Sequence, residues 1–141
     1  MEQEKEDKLD FVTRPAIYSQ NAVLWFAILM TPLFGGVLLM MNLKTINKRK
    51  EAGIVFIVSL LMTLGIYILS LFFDSSGSII TISMNVLCAF ILTEAFFKKQ
   101  IPDAAEYPNR SNLWPVLIAV AILVIFIALV MLAFWAQDQV V

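Results

Sequence analysis

Four apolar runs, residues 22–41, 52–73, 79–97 and 113–136, occupy most of the 141-residue chain and hold almost no charge. A helix rises about 1.5 Å per residue, so ~20 apolar residues cross a hydrocarbon layer of ~30 Å. Each run therefore predicts one crossing. The links between them are too short to fold on their own, since soluble domains usually need ~50 residues or more. The expected fold is all-α: one integral membrane bundle of four transmembrane helices over residues 1–141, with short links. Residues 1–18 read as a polar, mobile tail, having too few apolar side chains to order by burial.

Composition supports this and narrows function. Hydrophobic residues make up 60% of the chain and mean hydropathy is +0.85, both high for a soluble globule. Barrel strands would alternate apolar and polar residues, whereas 118–132 has no polar side chain. The net charge of −1 gives no reason to expect a nucleic-acid partner. Histidine is absent, which removes the usual neutral-pH acid/base and a common metal ligand. The single cysteine, Cys88, lies in the third run and cannot form an intramolecular disulfide. No catalytic, metal-binding or cofactor-binding set is expected. The charged, acidic start MEQEKEDKLD is unlike a signal peptide, so the first run is expected to remain as a helix.

Four crossings would put both termini and the link at 74–78 on one side. The other side would then hold Lys44, Lys48, Arg49, Lys50, Lys98, Lys99 and Arg110. The positive-inside rule assigns that richer side to the cytoplasm and both termini to the outside. Residues 44–50 could also contact anionic lipid through Lys44, Lys48, Arg49 and Lys50. Tyr18, Trp25, Trp114 and Trp135 suit membrane interfaces.

Inside the runs, polar residues carry the information. At 100° per residue, Thr31, Gly35 and Asn42 share a face of the first helix. Ser59, Thr63, Tyr67 and Ser70 share a face of the second, and Ser78, Thr81, Asn85 and Cys88 of the third. The fourth helix has no such stripe. Helix packing is the simpler explanation, because small and hydroxylated residues let backbones approach and bond. A polar path for an ion or solute is the functional one. Asn85 is its best single candidate, expected to bond Thr63 or Tyr67, because an unpaired amide in hydrocarbon is costly. Glu94 precedes Lys98 by four residues and is expected to pair with it near a helix end. Thr31-Pro32 and Gly35-Gly36 interrupt the first helix, and a structural kink is expected there.

The first run and its link also carry a pattern: Tyr18-Ser19, Ala22-Val23, Thr31, Gly35-Gly36, Leu38, Asn42-Leu43, Ile46 and Lys48-Arg49. It resembles that of a group of small bacterial inner-membrane proteins without known function. Here Pro32 precedes the glycines instead of following them, and Asn47 replaces the usual glycine of the link. The resemblance covers residues 18–50 and implies a bacterial plasma membrane and no reaction.

The leading expectation is a non-enzymatic protein that associates with itself or with a larger membrane-protein complex. The alternative is a small homo-oligomeric transporter or channel. An intramembrane enzyme has least support, because no base or acid pair accompanies the hydroxyls.

Overall fold

The computed structural model describes residues 14–73 and 77–138. Among them all regular elements are helical. They are α1 (Gln20–Leu29), α2 (Pro32–Thr45), α3 (Arg49–Leu71), α4 (Gly77–Phe90) and α5 (Leu113–Asp138). A π-helical segment, Ile91–Phe97, and a closing turn, Lys98–Gln100, prolong α4. The chain divides into two compact units, Met1–Arg110 and Ser111–Val141.

Three helices are long and apolar enough to cross a membrane: Arg49–Leu71, Ile79–Gln100 and Leu113–Ala133. They arise from the second, third and fourth apolar runs, and by their length and composition this is a membrane protein.

The first run departs from expectation. Instead of one kinked crossing helix over 22–41, it folds into two short helices, α1 and α2. Ten residues of α1 span about 15 Å and fourteen of α2 about 21 Å, so neither arm covers ~30 Å of hydrocarbon. The arms run antiparallel. Tyr18, just before α1, bonds to Asn42 near the end of α2, and Gly35 near the start of α2 meets Ala27 near the end of α1.

The sequence explains the reversal. Thr31 is extended, at φ −160° and ψ 158°, and its hydroxyl caps α2 by accepting from Phe34 N–H at 3.3 Å. Pro32 occupies the first turn of α2, where its missing N–H costs nothing. In a continuous helix the same proline would have removed a bond and met the preceding turn. At the other end, Asn47 takes a left-handed φ of 64°. Its N–H bonds to Lys44 O at 3.1 Å, and Lys48 N–H bonds to Leu43 O at 2.8 Å. These paired bonds close α2 with a Schellman motif. Asparagine here performs the turn for which glycine is usual.

The core of the first unit lies where the hairpin meets α3 and α4. Val23, Ala27, Leu39, Leu43, Val55, Ala89 and Leu92 are all buried there. The segment before α1 is also packed, from Arg14 onward. Ile17 N–H donates to Pro108 O at 3.0 Å, and Arg110 N–H to Ile17 O at 2.7 Å. Residues 14–18 are thus not part of a mobile tail, because this pairing and the burial of Ile17 hold them. The rest of that expected tail, 1–13, and positions 74–76 of the expected turn lie outside the described residues.

The second unit is α5. Ser111 Oγ accepts from Leu113 N–H at 3.3 Å, and Pro115 sits in the first turn. Trp114 and Trp135 stand near its two ends.

Candidate functional site: the hairpin and its tip

The two glycines of α2 face different neighbours. A Cβ built on Gly35 would lie 2.5 Å from Ala27 Cβ and 2.8 Å from Val23 O, so this position lets the hairpin arms touch. A Cβ on Gly36 would lie 2.1 Å from Ser59 Oγ and 2.3 Å from Ser59 Cβ, so this position lets α2 touch α3. The small residues therefore serve close backbone approach, the usual use of such residues between membrane helices.

The polar stripes divide in the same way. Gly35 and Asn42 share a face of α2 that meets α1 and the segment before it, whereas Thr31 is the extended residue that caps the helix. Asn42 is 1% exposed. Its Oδ1 accepts from Tyr18 N–H at 2.7 Å, and its Nδ2 donates to Tyr18 O at 2.8 Å. One side chain thus satisfies both backbone groups of a buried residue that no helix or strand pairs. Tyr18 itself lies buried beneath the Arg110 guanidinium, 5.1 Å from the ring centre, rather than in an exposed interfacial position.

On α3, Ser59 is fully buried against Gly36 and donates to Phe56 O at 2.9 Å. Thr63 donates to Ser59 O at 2.9 Å and accepts from Leu33 N–H at 3.0 Å. A hydroxyl on one helix thereby satisfies an orphan donor at the start of another, which matters where water is excluded. Tyr67, one turn further along, is exposed.

Glu94 lies in the π-helical segment and pairs with Lys98 at 2.6 Å, as its spacing implies. Its other oxygen accepts from Gln20 Nε2 at 3.4 Å. Asn85 behaves differently from expectation. It bonds neither Thr63 nor Tyr67, and among the described residues its amide has no hydrogen-bond partner.

At the opposite end of the hairpin from its tip, basic residues gather. Lys44, Lys48, Arg49 and Lys50 lie in or beside the turn from α2 to α3. The Lys48 ammonium donates to Gln100 O at 2.5 Å, and Arg14 pairs with Glu106 while covering the Tyr107 ring. The segment before α1, the α2–α3 turn and the link after Gln100 thus form one layer. Composition could not reveal this layer. The signal available in the sequence was Thr31-Pro32, which permits a reversal as readily as a kink.

No protein-family model matches this chain, and neither a curated protein nor a solved structure does.

Proposed function

We propose that this is a non-enzymatic protein of a bacterial plasma membrane whose first apolar run is a re-entrant hairpin and whose polar half-path serves an ion or small solute. The observation that carries the reading is the depth of the hairpin tip. Leu33 N–H bonds to Thr63, which is fourteen residues on from Arg49, about 21 Å of helix. A helix that starts at the headgroups brings that position close to the middle of a ~30 Å layer. Irregular backbone is tolerated at such depth where protein buries it or where it lines a polar cavity. Beyond the tip, Tyr67 and Ser70 continue the polar face of α3 towards the far side.

The same reading keeps residues 44–50 cytoplasmic and the C-terminus outside, and moves only the N-terminus to the other side. All ten Lys and Arg residues precede Ser111. Arg14, Lys44, Lys48, Arg49, Lys50, Lys98, Lys99 and Arg110 belong to the layer at the base of the hairpin, and Lys5 and Lys8 precede it in sequence. A re-entrant first run puts the N-terminus on the side of residues 44–50, which the positive-inside rule makes cytoplasmic. Three crossings then carry the C-terminus outside. Lys44, Lys48, Arg49 and Lys50 would meet anionic headgroups on that face.

The test is flux of ions and small solutes into proteoliposomes holding the purified protein. The reading expects flux that Asn85→Leu lowers, and the absence of flux across a broad panel contradicts it. Association with a second copy or a larger membrane protein is the second reading, favoured by the unpartnered Asn85 amide. The mass of the complex extracted from native membranes in mild detergent tests it, and a monomer without partner contradicts it.

A further inference from the structure

The base of the hairpin holds an open cavity of about 260 Å³. The segment before α1, the first turn of α1, the end of the π-helical segment and the link after Gln100 enclose it. Backbone bonds from Ile17 to Pro108 and from Arg110 to Ile17 fix two of these walls to each other. The inner side is apolar, with Ile17 and Phe97 fully buried, and the rim carries the exposed amides of Asn21 and Asn109. Among the described residues neither amide has a hydrogen-bond partner. One water needs about 10–15 Å³, and small-molecule sites run from about 300 Å³ upward. The space therefore suits a small polar group.

The cavity lies at headgroup level. The crossing helix Arg49–Leu71 begins in its layer, and Ile79–Gln100 ends there, just beyond the lining residue Phe97. α1 leads away from the cavity, packed along α4. Asn21, Trp25 and Leu29 recur every fourth residue of α1 and are all exposed, so one side of the helix runs from the polar rim onto apolar surface. Charge in the layer is unequal. From Arg14 to Arg110 the described residues hold eight Lys and Arg against four carboxylates. The Arg110 guanidinium lies 5.1 Å from the ring centre of Tyr18, a lining residue. Among the described residues it pairs with no carboxylate. Glu94, bonded to the lining Gln20, is held by Lys98, and Glu106 is held by Arg14. Asp103, next to the lining Ala104, is the opposing charge.

We propose that this cavity seats the phosphate headgroup of an anionic glycerophospholipid, with an acyl chain lying along Trp25 and Leu29. Arg110 supplies the counter-charge, and the Asn21 and Asn109 amides donate to the phosphate oxygens. A guanidinium presents paired N–H donors that match phosphate geometry, and its stacking on the Tyr18 ring holds it beside the cavity. A free phosphate would make no use of the exposed Trp25–Leu29 side, so the occupant is a lipid. A zwitterionic lipid would bring a further cation into a layer that already has an excess. The site is independent of the flux reading. It also differs from headgroup contacts of Lys44 to Lys50, which need only surface charge and no cavity.

The experiment is quenching of Trp25 fluorescence by lipids brominated in the acyl chain. The full chain carries Trp114→Phe and Trp135→Phe, which leaves Trp25 as its one tryptophan. Brominated phosphatidylglycerol and brominated phosphatidylcholine are compared at equal mole fraction in phosphatidylcholine bilayers, and circular dichroism shows that each variant folds. The expected result is a preference of about fivefold for phosphatidylglycerol, the weight of one Arg at an anionic surface. Arg110→Gln should remove it. Ala105→Phe, which fills the cavity without changing charge, should remove it too. Asp103→Asn should raise it, and Lys50→Gln should leave it in place. Equal quenching by the two lipids overturns the site, and so does a preference that survives Ala105→Phe. A loss in Lys50→Gln as large as in Arg110→Gln would show diffuse attraction and also overturn it. Abolition of the preference by millimolar glycerol phosphate would assign the cavity to a free phosphate and overturn the lipid.

Discussion

The first and last apolar runs look alike on a hydropathy profile and fold differently. Residues 113–136 hold no glycine, and their one proline, Pro115, sits in the first turn, so α5 is a single helix of 26 residues. Residues 22–41 hold Thr31-Pro32 and Gly35-Gly36 at their middle and fold back on themselves. Hydropathy measures the cost of leaving hydrocarbon and is blind to where backbone donors go. Thr31 and Thr63 supply the acceptors that make a mid-run reversal affordable, and the glycines supply the space.

Four changes would break or sharpen this contrast. The largest effect is expected from Asn42→Leu. It strands the buried N–H and C=O of Tyr18, each worth about 1–3 kcal/mol when left unsatisfied, and should open the base of the hairpin. Unfolding in mixed micelles reads the loss. Next is Val124→Lys at the centre of α5, which should weaken insertion of that helix by about 3 kcal/mol in a translocon-insertion assay.

Gly36→Ala should cost about 1–3 kcal/mol, because the new methyl overlaps Ser59. Pairing it with Ser59→Gly moves the Cβ from one helix to the other and should restore most of the stability. A double mutant no better than the single would show that α2 and α3 do not meet there. The smallest change is at the Schellman turn. Asn47→Gly should be neutral within about 0.5 kcal/mol, while Asn47→Val should lose about 1 kcal/mol or more at its positive φ.

Much of the architecture was legible in the sequence. Run length gave α3, the α4 segment and α5, because a long uninterrupted apolar helix has few other stable solutions. The Glu94–Lys98 pair followed from spacing. The hairpin did not follow, because a proline after an extended threonine serves a kink or a reversal equally well. The outcome depends on contacts distant in sequence, Asn42 with Tyr18 and Leu33 with Thr63. The wheel placed Thr31 with Gly35 and Asn42 on one continuous helix, whereas Thr31 is extended and the neighbour of Gly35 and Asn42 is the first half of the same run. The expected orientation hangs on the same reversal, since one crossing fewer would move the N-terminus to the other side.

Side-specific labelling tests the re-entrant hairpin most directly. In a Cys88→Ala background, Ala16→Cys and Asn47→Cys flank the hairpin, and a membrane-impermeant maleimide is applied to right-side-out and inverted vesicles. A re-entrant hairpin requires both positions to be labelled from the same side, the cytoplasmic one. Labelling of the two from opposite faces would mean that the first run crosses the membrane, and would contradict the hairpin and the proposed orientation together.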